Sequence, residues 1–232
     1  MEHRTAVGTF FHLARQAFPC ALALWLSACA TPGIPLPATV PAQSAARVDS
    51  PPEWRPGDRW VYEWTSGADT GTKSMEVIES TDINNVRYYI VRVGDVSHYY
   101  TVDLHWAGSA RASTVEARMV PPEPWFAWPL EVGRQWSHRG TFEERDSRTQ
   151  HNDTFQVVAA ESVRVSAGQF HALQVVREMD QQLSDQYWYA PEVRWYVRWI
   201  SRRGKIQFEE RLREYHPAPR SPGPVPSTPP TK

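Results

Sequence analysis

The chain has 232 residues, with 25 Lys and Arg against 26 Asp and Glu, and a formal net charge of −1. Charges of both signs are interspersed, which argues against a general binder of nucleic acid or of anionic membranes. The only cysteines are Cys20 and Cys29, so a disulfide framework is excluded as the source of stability.

The first 28 residues have the organisation of an export signal. Arg4 and Arg15 lie in a short N-terminal region, an apolar segment runs from Ala17 to Leu26, and small residues follow it. The apolar segment is about half of the ~20 residues that span a bilayer, so a transmembrane anchor is disfavoured. Leu26-Ser27-Ala28-Cys29 resembles the lipobox of bacterial lipoproteins, which implies cleavage before Cys29 and lipidation of its thiol. An ordinary secretory signal is the alternative.

Lipidation would hold the chain at a membrane. Each buried methylene contributes ~0.8 kcal/mol, so a Cys29 carrying several acyl chains such as palmitate is a stable anchor. Cleavage would also remove Cys20, leaving no partner for a disulfide within the mature monomer. Ala30 is not the Asp that retains lipoproteins, so in a host with two membranes we expect the outer membrane, with the domain facing the periplasm.

Two proline-rich segments flank the region with a folding pattern. Residues 29–53 contain six prolines and little that could form a core, which predicts a semi-rigid tether after the lipidated Cys29. Residues 217–232 contain seven prolines, which predicts a disordered tail. The β domain is therefore expected at residues 54–216.

That region alternates apolar and polar residues with a period of two. The strand predicted at residues 59–65 follows a Pro56-Gly57-Asp58 turn and places Trp60, Tyr62 and Trp64 on one face. Strands spaced by 8 to 12 residues predict an all-β antiparallel meander with at most one short helix. The other predicted strands are 72–81, 86–93, 96–104, 111–119, 135–145, 151–159, 163–165, 170–178, 187–189, 195–201 and 206–215.

Prolines divide the two halves of this pattern. Ala107-Gly108-Ser109 is predicted to be a turn, and Pro121-Pro122-Glu123-Pro124 to interrupt the ladder. The aromatic segment that follows, residues 125–130, cannot be a central strand. We expect it to plug one end of the sheet.

Three spaced motifs resemble an uncharacterised family of bacterial envelope proteins. They are residues 128–136 (WPLEVGRQW), 161–173 (ESVRVSAGQFHAL) and 188–193 (WYAPEV). The resemblance covers about residues 54 to 215 and implies the half-barrel, or strongly curved sheet, of the periplasmic lipoprotein carriers. This chain departs from the family pattern at Ser166, where Pro is common, and at Glu192 and Arg194, where Gly is common.

Ten of the eleven tryptophans lie after the signal segment. A half-barrel with few helices needs large side chains to fill its concave face, and each tryptophan can bury about 150–250 Å². The same residues could instead line a cleft for an acyl chain, a glycan or a peptide. The candidate groove residues are Trp60, Tyr62, Trp64, Trp125, Trp128 and Trp188.

No motif identifies a catalytic or metal site. The histidines at 98, 105, 138, 151 and 171 are scattered without a zinc-binding spacing, and no cofactor is expected. Nucleophile elbows and phosphate loops are also missing from the sequence. Arg194, Arg198 and Arg202 recur at a spacing of four, which places them on one strand face as an anion-binding stripe or as partners of Glu209 and Glu214.

These patterns favour a lipid-anchored envelope protein that is not an enzyme and that binds a hydrophobic ligand or an envelope component. A hydrolase with an unrecognised site is the first alternative. A structural or interaction module without a small ligand is the second. The sequence does not indicate an oligomeric state.

Overall fold

The computed structural model describes residues 47–219, and this part of the chain is almost entirely β-structure. Fourteen strands follow one another, and a single 3₁₀ turn at Pro191–Val193 lies between the twelfth and the thirteenth. In this range no helix is long and apolar enough to cross a membrane. The predicted all-β class, with at most one short helix, is confirmed for these residues.

In chain order the strands are Arg47–Val48 (β1), Arg59–Ser66 (β2), Asp69–Ile83 (β3), Val86–Val93 (β4), Val96–Thr101 (β5), Trp106–Arg111 (β6), Thr114–Glu123 (β7), Leu130–Glu131 (β8), Gln135–Glu144 (β9), Ser147–Val165 (β10), Gly168–Met179 (β11), Gln182–Ala190 (β12), Trp195–Ser201 (β13) and Phe208–His216 (β14).

Twelve of these strands close into one antiparallel barrel, while β1 pairs only with β8. The sheet is therefore more closed than the predicted half-barrel or strongly curved sheet. Closure comes from two pairings: β14 with β2, where Arg211 lies opposite Glu63, and β7 with β9, where Val120 lies opposite Thr141. In a closed ring each barrel strand has a neighbour on both sides, which reduces the hazard of an open sheet edge.

The connections sort into two ends of the barrel. The connections after β2, β4, β6, β9, β11 and β13 lie at one end, which we call the hairpin end. Connections after β3, β5, β7 and β12 lie at the opposite end, the loop end. Asn84 and Asn85, with φ of 51° and 64°, form the turn after β3, as expected of Asn in a two-residue hairpin.

The predicted turn at Ala107-Gly108-Ser109 is instead part of β6. The turn lies at Ala112-Ser113, with φ of 44° and 69°, and residues 106–123 form two strands where one was predicted. Gly108 serves a close approach between strands, because a Cβ there would lie 2.5 Å from the carbonyl oxygen of Ala117. A glycine pattern alone does not separate such a bulge from a turn.

The prolines at 121 and 122 end the pairing between β7 and β9 but do not end β7. The last β7–β9 pair is Val120 with Thr141, and β7 continues to Glu123, which lies opposite Trp106 of β6. The two strands predicted at 151–159 and 163–165 form one, β10, with a bulge between Val157 and Ala159.

Large side chains fill the barrel at its loop end. Trp54, Trp60 and Trp195 are each at most 2% exposed, and the Trp54 and Trp195 ring centroids lie 4.8 Å apart. Phe126 and Leu130, from the proline-bounded segment, are fully buried there. The expected plug is confirmed, and it closes the loop end of the barrel.

Beyond its bulge, the β10–β11 hairpin crosses the outer face of the barrel. The Ala167 N–H donates to the Leu212 carbonyl over 3.1 Å, and the Ser166 hydroxyl donates to Glu63 over 2.8 Å. Trp188 lies under this crossing, 4% exposed, and donates its indole N–H to Glu161. A second, smaller apolar layer therefore lies outside the barrel.

Both ends of the described chain lie at the loop end. Arg47 and Val48, at the end of the predicted tether, pair with Glu131 and Leu130. The Ala218 N–H donates to Asp58 Oδ1 over 2.8 Å. The predicted signal at 1–28, Cys29, the first part of the tether and most of the tail, residues 220–232, lie outside the described residues.

Candidate ligand cavity and buried polar cluster

A cavity of about 390 Å³ lies inside the barrel towards the hairpin end. It falls within the size range of small-molecule sites, about 300–1,000 Å³. A larger depression of about 460 Å³ lies outside, over β9, β10 and β11, where Gln135, Ser137 and Thr154 are exposed. The interior cavity is the better candidate, because ligand sites are concave and mostly apolar. Its apolar wall includes Met75, Val93, Trp106, Met119, Phe142 and Trp199.

The floor of the cavity is the aromatic stack that plugs the loop end. Trp125 lines the cavity, and its ring stacks on Trp195 with centroids 5.7 Å apart and planes inclined by 12°. Trp125 also stacks on Tyr187, with ring centroids 5.2 Å apart. Such a stack is apolar, so an occupant of the cavity meets an aromatic floor.

Lys73 and Arg203 lie on the cavity wall nearest the hairpin end. Lys73 contacts the Glu210 carboxylate, which is 1% exposed, and Glu210 accepts the Tyr196 hydroxyl over 2.7 Å. Arg203 lies 2.6 Å from Asp185. Each cation therefore has a carboxylate partner, as burial of charge requires.

Arg177 is the centre of the most buried charge cluster. Its side chain is 1% exposed and contacts Glu123, with Asp153 at 3.1 Å and Asp185 at 3.4 Å. The residue lies on the inward face of β11, in phase with Val175 and Met179, and burial alone would make a guanidinium there costly. Burial disfavours the charge, but the carboxylate of Glu123 and its neighbours outweigh it, and the pKa of Arg177 is raised.

His138 and Asp153 lie opposite each other on β9 and β10, with Nδ1 and Oδ2 3.5 Å apart. The other ring nitrogen, Nε2, lies 3.0 Å from the Pro121 carbonyl. Burial by itself lowers the pKa of His138, but the contacts with Asp153 and Pro121 outweigh it and the pKa is raised. Burial by itself raises the pKa of Asp153, but contact with His138 and the charge of Arg177 lower it.

His98 lies on the cavity wall in a different environment. Its Nδ1 accepts the indole N–H of Trp106 over 3.3 Å. Burial and, to a smaller extent, the charge of Lys73 lower the pKa of His98 to about 4. The ring is therefore neutral at physiological pH. Because Nδ1 accepts from Trp106, the proton of the neutral ring lies on Nε2, which is a donor.

The six candidate groove residues do not form one surface. Trp60 and Tyr62 are fully buried and donate to the carbonyls of Val193 and Tyr196, each over 2.8 Å. Trp64 is half-buried and stacks on Phe208, and Trp128 lies in the loop-end plug. Trp188 lies outside the barrel, and Trp125 lines the cavity. Ligand contact by any of them stays a prediction.

The predicted arginine stripe does not exist as one face. Arg194 is not in a strand but follows the 3₁₀ turn with φ of 59°, the left-handed conformation that Gly, common here in the family pattern, adopts readily. Arg198 contacts Glu209 at 2.7 Å, as the ladder-pairing alternative predicted, while Arg202 donates to Gln186. Glu214 contacts Arg213 and His216 instead.

Sequence reasoning missed Lys73, Glu123, Arg177 and Arg203 as cavity residues. One signal was available for Arg177: it interrupts the inward-facing series Leu173, Val175 and Met179. A charged residue at an inward-facing position predicts a buried partner of opposite charge. The alternation of apolar and polar residues does not show which residue that partner is.

No protein-family model matches this chain, and no curated protein matches it. Solved structures similar to it include a candidate lipoprotein from Parabacteroides distasonis, 12% identical with a TM-score of 0.39, over 72% of this chain and 97% of that one. Another is a candidate exported protein with a YmcC-like fold from Bacteroides fragilis, 11% identical with a TM-score of 0.41, over 73% and 99%. A third is the hypothetical lipoprotein YmcC from Escherichia coli, 10% identical with a TM-score of 0.36, over 70% and 85%. Likenesses this weak carry no argument about ligand, activity or location.

Proposed function

We propose that this chain is an exported binding protein, anchored through a lipidated Cys29, that holds an apolar or amphiphilic small molecule inside its barrel. The interior cavity carries the proposal. Its wall combines aromatic rings and methionines with a few polar groups, the usual composition of a small-molecule site.

The difference between the two ends of the barrel supports this location for the ligand. The loop end is filled by Trp54, Trp195 and Phe126, whereas the cavity lies towards the hairpin end. An apolar ligand gains about 25 cal/mol for each Å² of apolar surface removed from water. Lys73 and Arg203 would meet the polar part of an amphiphile at the hairpin end.

The length of chain between Cys29 and the described domain bears on the proposed anchor. Arg47 lies 18 residues after Cys29 in sequence, so the intervening chain spans at most about 65 Å. A tether of that reach would let the anchored protein bind its ligand beside the membrane, in the periplasm if the host has two membranes.

A hydrolytic function is less well supported. His138 and Asp153 form a histidine–carboxylate pair, but Nε2, the nitrogen that would take a proton from a nucleophile, lies against the Pro121 carbonyl. A carbonyl oxygen only accepts, so Nε2 carries a proton and is not a base. We therefore propose binding and not catalysis as the function of the cavity.

Filling the cavity tests the proposal. Val93, which is half-buried on the cavity wall, is replaced in Val93→Phe, and the matched control is Val132→Phe, where the side chain is 51% exposed. Both full-length variants are titrated with a fluorescent fatty acid. We expect one site in the wild type, at least tenfold weaker binding in Val93→Phe, and no change in Val132→Phe. Equal binding by all three would show that the cavity is not the site.

A further inference from the structure

We propose a metal site on the barrel wall beside the cavity, formed by His138 Nδ1, Asp153 Oδ2 and Glu123 Oε1, for a divalent first-row transition metal such as Zn²⁺. The three atoms lie within 4.8 Å of one another. They come from β9, β10 and β7, strands that are neighbours in the barrel.

Two of the proposed ligand atoms lack a hydrogen-bond partner. Among residues 47–219, the buried side-chain atoms without such a partner include His138 Nδ1 and Asp153 Oδ2. The third, Glu123 Oε1, accepts no hydrogen bond of ordinary geometry but forms an ion pair with Arg177. His138 is 8% exposed, Glu123 is 3% and Asp153 is 1%. Leaving buried polar atoms unpaired is costly, so His138 Nδ1 and Asp153 Oδ2 point to a species that binds both, with Glu123 as the third ligand.

The histidine is oriented as a metal ligand. Because the Pro121 carbonyl only accepts, His138 Nε2 donates to it over 3.0 Å, and Nδ1 is the nitrogen left to bind. Metal-binding histidines commonly donate their other N–H to a carbonyl or carboxylate in this way. Gly140 makes room for the ring, since a Cβ there would lie 2.5 Å from His138 Cε1.

The distance between His138 Nδ1 and Asp153 Oδ2 suits two ligands of one metal ion better than it suits a direct hydrogen bond. His138 Nδ1 and Asp153 Oδ2 are 3.5 Å apart, beyond the usual 2.7–3.2 Å of N–H···O bonds. With metal–ligand bonds of about 2.0–2.2 Å, neighbouring ligands of a tetrahedral ion lie roughly 3.3–3.6 Å apart. Glu123, the longest of the three side chains, is the one that adjusts to complete the site.

The net charge of the buried cluster favours a bound cation. The connected carboxylates of Glu123, Asp153 and Asp185 face two guanidinium groups, Arg177 and Arg203, so the carboxylates exceed the guanidinium groups by one negative charge. Asp153 uses Oδ1 for Arg177, which leaves Oδ2 for the ion. Glu123 Oε2 accepts the Trp125 indole N–H over 2.7 Å, which orients that carboxylate. Arg177 also contacts Glu123 Oε1, so that oxygen would be shared between the guanidinium and the ion.

The ligand set selects the class of metal. One imidazole and two carboxylates suit zinc and its neighbours, whereas calcium and magnesium prefer oxygen ligands alone. Three protein ligands would leave a fourth position of a tetrahedral ion for water or for a group of the cavity ligand. We propose the metal site as a binding site only.

Zn²⁺ binding to the full-length, chelator-treated protein in detergent tests the site. Calorimetry at pH 7.5 should show one Zn²⁺ per chain, weakened by at least about 100-fold in His138→Gln and in Asp153→Asn. The matched control is His216→Gln, because His216 Nε2 lies 3.0 Å from Glu214 in an exposed histidine–carboxylate pair. The control should bind like the wild type. No binding by the wild type, or loss of binding in His216→Gln, overturns the proposal.

A second measurement does not depend on the variants folding. Co²⁺ in the wild-type site should show the intense d–d absorption of a four- or five-coordinate ion and should be displaced by Zn²⁺. If His138 instead carries a proton that it shares with Asp153, Co²⁺ keeps the spectrum of the aqueous ion and Zn²⁺ leaves the melting temperature unchanged. That outcome also overturns the proposal, whatever the cavity binds.

Discussion

Arg194 Nη2 lies 2.5 Å from Asp58 Oδ1, joining the turn before β13 to the turn before β2 across 136 residues of sequence. Asp58 is fully buried and also accepts the backbone N–H groups of Arg55 and Ala218. The Arg194 carbonyl accepts the Trp54 indole N–H over 2.9 Å. One residue in the left-handed conformation therefore organises the loop end of the barrel.

This pair gives a stability prediction. Arg194→Ala removes the cationic partner of a buried carboxylate and keeps an unfavourable φ, so we expect a loss of about 2–3 kcal/mol. Arg194→Gly loses the same contacts but relieves the backbone by roughly 1 kcal/mol, so it should be the more stable of the two. Urea denaturation of both variants measures the difference. An alanine variant at least as stable as the glycine variant would contradict this account.

His98 predicts a dependence of stability on pH. The folded protein holds its pKa at about 4, below the ordinary 6.5, so the unfolded state takes up a proton first as the pH falls. Stability from this group is complete above about pH 6.5 and is lost as the pH falls towards 4. After allowance for solvent screening, the loss should be about 2–3 kcal/mol.

His98→Gln isolates that contribution. Glutamine keeps an acceptor for the Trp106 indole N–H but does not titrate, so the unfolding free energy of the variant should fall less between pH 6.5 and 4. Denaturation curves at several pH values provide the comparison. Parallel curves for wild type and variant would mean that His98 is not held neutral.

Trp60 and Trp64 lie on the same face of β2, but Trp60 belongs to the core and Trp64 lies at its periphery. Trp60 is fully buried, so Trp60→Ala should lower the unfolding free energy by about 3–5 kcal/mol through lost burial and a cavity. Trp64 is half-buried and stacks on Phe208 with centroids 6.0 Å apart, so Trp64→Ala should cost about 1–2 kcal/mol. Chemical denaturation with a parallel titration of the fluorescent fatty acid tests both. Equal losses would mean that the interior at the loop end is not the core.

Anchoring is tested independently of the fold. Cys29→Ser removes the only thiol at which the lipobox-like segment could be acylated, so the precursor should stay uncut or the protein should leave the membrane fraction. Mass analysis of the wild-type N-terminus is the direct check. Membrane-bound protein with an unmodified Cys29 would falsify the lipoprotein hypothesis.

Alternation and turn residues were sufficient for the local structure. Trp60 and Tyr62 share a buried face because successive side chains of a strand point to opposite sides, and Asn84-Asn85 turns the chain because Asn tolerates positive φ. The strand class, most strand positions and the aromatic plug follow from such short-range preferences. These are properties of a few adjacent residues, and the sequence by itself determined them.

Closure and the site were decided only in three dimensions. A period of two is the same in an open sheet and in a barrel, so it does not reveal that Arg211 pairs with Glu63 and closes the ring. Likewise His138, Asp153 and Glu123 lie on three different strands, and nothing in their spacing brings them together. Pairing between distant strands depends on the twist and register of the whole sheet, because each strand adds its rotation to the last.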